Sequence, residues 1–267
     1  MIKDNIQKKT LSIRISTDGF CFCSYTATQT ESLQYYCYPT DRNISLAANL
    51  KKAIEESPLI TKDTEYSVKA IIETNEFTTI PEEFDNKQDY KIYYRHCFPK
   101  NGHNMEIVAN KFNAQGVTII FPVEKNVSGL LQQIGEVTFY TPVSIMLGFL
   151  TLAAPEEERF ILAYVQENST LLLSIKNGRM ELANTFTSEN REDILFYLLS
   201  IWKEQGLSQT EDTLYICGDR EVNELLPQLK RFIKQCKRLN PNEQFTASLL
   251  NRIEGIPFDL QALILCE

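Results

Sequence analysis

The sequence predicts an α/β protein with mixed sheets, built from two copies of one unit: three strands, a helix and a further strand. Three observations carry this. The stretch from Phe160 to Gly218 gives short apolar runs joined by turn chemistry, Asn177-Gly178 above all, then a helix-spaced segment and one more apolar run. The stretch from Leu11 to Ile72 repeats that order. The copies lie about 150 residues apart, close to one domain length, although they share little residue identity.

In the first unit Leu11–Ser16 and Phe20–Tyr25 are strands around the turn Thr17-Asp18-Gly19, and Leu33–Tyr38 is a third. A helix follows from Ser45 to Ser57, with Leu46, Leu50, Ala53 and Ile54 on one face, and the strand Ser67–Ile72 closes the unit. Phe77–Phe84 reads as a short edge or turn. Asn86 then caps a helix whose apolar side is Tyr90, Tyr93, Tyr94 and Cys97. Met105–Phe112 and Val117–Val123 form a hairpin around Asn113–Gly116. Asn126 caps a helix over Val127–Ile134, Val137–Tyr140 is a strand, and Pro142 opens a helix to Leu152.

Ala153–Glu158 combines a proline with a charge run between apolar stretches, so it divides the chain into domains 1–153 and 159–267. In the second unit Phe160–Gln166, Thr170–Lys176 and Arg179–Phe186 are strands. The next helix has Thr187 and Ser188 as candidate caps, Ile194, Tyr197, Leu198, Ile201 and Trp202 on one face, and Gly206 past its end. Thr213–Gly218 is a buried strand. Asn223–Lys237 reads as one helix, Leu239–Glu243 as a loop, Phe245–Ile253 as a short helix or turn, and Leu260–Cys266 as a final strand.

At 267 residues with 43% hydrophobic content the chain suits a packed globular protein. A net charge of -8 opposes general affinity for nucleic acid or anionic lipid. The start MIKDNIQKK lacks the apolar core of a secretory signal, and the run Val143–Ala154 is shorter than the ~20 residues a membrane span takes. The seven cysteines form no C-x-x-C pair, and Cys21 and Cys23, two apart on a strand, cannot bridge each other. All seven read as reduced thiols of a cytoplasmic protein.

No motif marks a catalytic residue. His96, Cys97 and His103 lack a fourth ligand at fitting spacing, so no metal site is expected. Asp18-Gly19 is first a hairpin pair; its second reading is a phosphate contact, where glycine lets backbone approach an anion and a carboxylate helps only through Mg²⁺. Gly218-Asp219 is first a strand end and turn, and second a nucleotide contact. The basic stretch Lys230–Arg238 is a solvated face before it is a partner surface.

The duplicated order of RNase H-like units resembles the actin-like ATPase superfold, the sugar kinase, Hsp70 and actin group, in which two domains face each other across a nucleotide cleft. More closely, Phe77-Thr-Thr-Ile-Pro-Glu-Glu-Phe84 and the small size resemble an uncharacterised bacterial family of unknown function. That family is similar in fold to cytoplasmic assembly proteins of type IV pili and type II secretion. The resemblance places the family's Asp-x-Gly turns at Asp18-Gly19 and at Glu167-Asn168, and its adenosine motif at Gly218-Asp219. All three depart from the pattern: Phe20-Cys21-Phe22 follows the first turn, the second has no glycine, and the third keeps one. The resemblance therefore implies a non-catalytic binding or assembly module with a protein partner and no cofactor. The alternative it implies is a weak ATP-binding protein or ATPase, using ATP and magnesium in the cleft between the domains. A nucleic-acid enzyme of the RNase H type needs clustered acidic residues for two metals, and Asp18 stands alone on its hairpin.

Overall fold

Both repeated units fold as five-stranded sheets with the same strand order. The computed structural model describes residues 9–26, 29–61, 64–100, 104–153, 159–218, 222–239 and 255–266. In the first unit β1 (Lys9–Ile15), β2 (Gly19–Thr26) and β3 (Gln29–Pro39) form an antiparallel meander. Helix α1 (Leu46–Glu56) crosses over to β4 (Tyr66–Ile72), which lies parallel to β1 on its other side. After an insertion of β5 (Thr78–Pro81), α2 (Tyr90–Cys97), β6 (Met105–Phe112), β7 (Val117–Glu124) and α3 (Lys125–Gln132), the chain returns as β8 (Gly135–Tyr140), parallel to β4. The order is β3-β2-β1-β4-β8.

Helix α4 (Pro142–Ala153) leads to the second unit, with β9 (Arg159–Val165), β10 (Ser169–Lys176), β11 (Arg179–Thr187), α5 (Arg191–Glu204), β12 (Thr213–Gly218), α6 (Val222–Leu229) and β13 (Gln235–Arg238). Its order, β11-β10-β9-β12-β13, is the same RNase H-like arrangement. The central strands are continuous apolar runs because both faces of each sheet are covered: Phe160 to Val165 are all buried. One core joins the two units. Leu11 and Ile13 of the first sheet, Leu162, Tyr164 and Leu173 of the second, and Phe149 of α4 belong to a single packed cluster. A smaller cluster lies on the far side of the second sheet under α5 and α6.

Local chemistry explains the helix ends. Ser45 caps α1 by accepting from the Ala48 amide. Helix α5 is capped by Asn190, not by Thr187 or Ser188 as expected. Asn190 and Asp193 form a reciprocal capping box, while Thr187 completes β11 and Ser188 bonds Thr170. Similarly, α3 begins at Lys125, so Asn126 lies inside it and is not its cap.

Three further expectations are corrected. The last apolar run is helix α7 (Phe258–Leu265), not a strand. A short run buried on all sides has no periodicity to separate the two forms, and α7 packs at once against α4, β1 and β12. The segment Asn223–Lys237 is a helix to Leu229 and then the strand β13. Leu229, Ile233 and Cys236 are buried as a helix would place them, yet Phe232 is exposed, and Pro227 removes one helical donor just before the break. Finally, Cys21 and Cys37 are not reduced: they stand opposite each other in the β2–β3 register, 4.3 Å apart at Cα, and are joined as a disulfide. Spacing along the chain carried no sign of this cross-strand partner. Cys23, Cys97, Cys217, Cys236 and Cys266 are in no disulfide, and burial pushes Cys23 up to about 12 and Cys236 up to about 11. The expected boundary at 154–158, the segment Phe245–Ile253 and His103 lie outside the described residues.

The inserted strands form a separate sheet, β5-β7-β6, with its own small core of Ile80, Tyr90, Tyr94 and Ile120. Asp85 ties it together, accepting from Lys111 Nζ and Tyr90 Oη. The Lys111 hydrogen bond first, and the Tyr90 one second, hold the Asp85 carboxyl below the usual carboxylate range. A depressed carboxyl contributes its stability in full above its unfolded value near 4 and loses it as pH falls through the folded value. Asp85→Asn should therefore melt below the wild type at neutral pH. The gap should begin to close as pH falls below about 5 and go on closing until pH has passed below the lowered folded value, followed by circular dichroism.

Candidate functional site

The ends of β1 and β9 carry equivalent turns. Ser16 N–H donates to the Gly19 carbonyl (3.0 Å), and Gln166 N–H donates to that of Ser169 (2.8 Å). The Asp18 carbonyl accepts from Thr40 N–H and the Asn168 carbonyl from Ser188 N–H, so each turn is also fastened to the segment after its third strand. Both turns open on one cleft of about 560 Å³, lined by Arg14, Ser16, Asp18, Glu73, Glu167 and Gly218, and closed at one side by Gly255 to Pro257 and Gln261.

Asp18, Glu167 and Gly218 are thus brought together. Gly19 and Asn168 sit in the same turns but outside the lining, and Asp219 lies outside the described residues. The two glycines have structural roles. The Gly19 amide donates to Ser16 Oγ (3.1 Å), and Ser16 Oγ donates back to the Gly19 carbonyl (2.9 Å), so that amide is satisfied within its own turn. A Cβ on Gly19 would come 2.8 Å from the Tyr38 carbonyl oxygen of the neighbouring strand. Gly218 ends β12 with φ of 141°, where a Cβ would lie 2.0 Å from the Val165 carbonyl oxygen. Both glycines are therefore required by strand packing alone. Phe20 is fully buried and contributes nothing to the cleft wall.

The floor of the cleft holds groups that motif reading missed. Arg14 Nε reaches both carboxylate oxygens of Asp259 on α7 (3.0 and 2.9 Å), and its Nη2 lies 3.1 Å from Glu73 Oε2 at the end of β4. Glu73 Oε1 also accepts from Gln166 of the second unit (3.4 Å). The Asp259 side chain is 0% exposed and that of Arg14 13% exposed. Burial alone would weaken the Arg14 charge, but the carboxylates of Asp259 and Glu73 outweigh it and push its pKa further up. The guanidinium is charged at any working pH. Two sequence signals mark this network: a single arginine in the apolar strand LSIRI, and a single aspartate at the head of the apolar run FDLQALIL.

Among the described lining residues, Arg14 is the sole cation, facing the carboxylates of Asp18, Glu73 and Glu167. Asp18 lies 3.9 Å from the exposed Arg42, a solvated contact of small consequence. A polyanion entering here meets like charges, with repulsion of several kcal/mol at an effective dielectric near 20. No group of metal-binding side chains occurs among the described residues. No helix among them is long and apolar enough to cross a membrane.

Comparison with known proteins gives the chain a place. Residues 1–236 match the profile of the family described as "Protein of unknown function (DUF3822)", and the chain belongs to that family. A crystal structure from Bacteroides thetaiotaomicron VPI-5482, described as a protein with actin-like ATPase fold and unknown function, shares 28% identity over 100% of both chains, with a TM-score of 0.81. The chain thus has the actin-like ATPase fold expected from its repeat. The structure titled "PilM-PilN type IV pilus biogenesis complex" aligns with a TM-score of 0.58 at 12% identity, covering 97% of this chain and 98% of that one, which is a likeness of fold. Among curated proteins none matches.

Removing one partner of the Arg14–Asp259 pair leaves a buried charge. Asp259→Asn should cost about 3 kcal/mol in urea denaturation. The double variant Arg14→Met with Asp259→Leu should be more stable than either single replacement, and additive losses would contradict the coupling.

Proposed function

We propose that this family member is a non-catalytic binding or assembly module that keeps the actin-like architecture without turning over a nucleotide in its cleft. The carrying observation is that Arg14, the sole cation among the described cleft residues, is engaged by Asp259 and Glu73. The Gly19 amide, which a phosphate-binding turn would aim at its anion, is likewise bonded to Ser16. Asp18, Gly19, Glu167, Asn168, Gly218 and Asp219 are, on this proposal, remnants of a nucleotide site, and all but Asp219, which lies outside the described residues, now shape the walls and turns of a cleft between domains 1–153 and 159–267. The partner is another protein. We place the chain in the cytoplasm on its five cysteines that form no disulfide; the Cys21–Cys37 bridge is the feature that fits this least well.

A second reading, weak ATP binding with Mg²⁺, is favoured by the cleft volume alone, which falls within the range of small-molecule sites. Melting temperature with millimolar ATP and Mg²⁺ separates the two. Saturation at about 100 times Kd would stabilise by about 2.7 kcal/mol, a rise of several degrees. The expected response is flat, and a rise of that size would overturn the proposal. Glu167→Gly, which removes one negative charge from the wall, should strengthen whatever residual ATP response exists, while Asp18→Ala should leave the melting temperature near that of the wild type.

A further inference from the structure

We infer that the apolar groove between β5 and α2 docks a short extended segment of a partner protein, which adds as a strand to the β5 edge. This rests on the binding-module reading and deepens it, naming where a partner sits and what form it takes. The groove encloses about 480 Å³ and is lined chiefly by Thr78, Ile80, Phe84, Ile92, Tyr93 and Cys97. Phe84 is 59% and Ile92 65% exposed, two of the five exposed large hydrophobic residues among those described. Single exposed apolar residues are ordinary, but these two converge on one concave strip.

The unpaired sheet edge beside that strip argues for a strand as its occupant. In the order β5-β7-β6, β5 has a neighbour on one side only. Glu82 N–H donates to the Gly116 carbonyl, and Ile80 and Thr78 stand opposite Thr118 and Ile120. Alternation then turns the Thr79 N–H and C=O outward, away from β7. Cys97 Sγ lies 3.7 Å from Thr78 Oγ1, so α2 runs back along β5. The four residues of β5 span about 13 Å, and the eight of α2 about 12 Å. A segment of roughly four or five extended residues fits that length, with two side chains directed into the groove. Pro81 has no amide to offer and Glu82 and Glu83 follow it, so the added ladder stops there.

A second copy of the chain is a poorer occupant, because a stable dimer buries about 800 Å² on each partner and this strip is one short strand long. Glu82 and Glu83 are balanced in the same stretch by Lys87 and Lys91, so backbone pairing and apolar contact carry recognition and added salt should change affinity little.

The test is to pan short random peptides displayed on phage against the full chain, with the Ile92→Glu variant as counter-selection. Selected peptides are then measured by calorimetry. Ile92 is a surface residue, so its replacement leaves the fold intact. Thr79→Pro removes the outward amide while sparing the bonds to β7, and its melting temperature is checked alongside. Expected are peptides with apolar residues at alternate positions, bound roughly tenfold or more weakly by both variants, with little change on added salt. Failure to enrich any peptide over the counter-selection overturns the proposal. So do apolar spacings of three and four with no effect of Thr79→Pro, which would mean a helical occupant. Light scattering that shows a wild-type dimer dissociated by Ile92→Glu would assign the groove to a second copy. ATP turnover with peptide binding intact would overturn the non-catalytic reading and leave the groove standing.

Discussion

The buried pair between Arg14 and Asp259 is the constraint on which the arrangement of the two units depends. Arg14 sits on the central strand of the first sheet, and Asp259 opens the last helix, which packs against both sheets and α4. An unpaired charge at either position would cost several kcal/mol, so β1 and α7 must meet in one register. With that register fixed, Phe258 lies edge-on to Phe149 of α4, 5.8 Å between centroids, and against Tyr164 of the second sheet at 5.6 Å. The polar pair thus specifies where an otherwise uniform apolar interface comes to rest, a role that apolar contacts, being non-directional, fill poorly.

The same pair decides the chemistry of the cleft above it. An actin-like cleft is a concave space between equivalent turns, and this chain keeps that geometry at Asp18 and Glu167. Among the described residues that line the cleft, no positive charge is left without a carboxylate partner. The Gly19 amide bonds Ser16, the guanidinium bonds two carboxylates, and the other charges of the described lining are acidic. Fold and activity are separable in principle, because the fold depends on strand order and packing, whereas anion binding depends on a few donors left free.

Much of the architecture was legible from the residues. Asn177-Gly178 announced a hairpin, and Asn177 and Gly178 both adopt positive φ. The helix over Ile194–Trp202 and the parallel closing strands followed from period and order. Legibility failed where an apolar run is buried on every side. In FDLQALIL no polar face marks a period, so the sequence could not separate a helix from a strand. It failed again beyond Leu229, where residues spaced as on a helix continue into a strand after the turn at Lys230 to Lys234. The turns at Asp18 and Glu167 were found by their chemistry. Arg14, Glu73 and Asp259 were not, because their partnership spans most of the chain and only the fold brings them together.

Glu73 touches both halves of the molecule: one oxygen faces Arg14 in the first unit and the other accepts from Gln166 in the second. Such a carboxylate links the two units directly. Scissoring of one sheet against the other would stretch that link. If the chain is the binding module proposed above, a partner would meet its outer faces already in place. On that proposal recognition would draw little on conformational entropy, as expected of a fixed bracket.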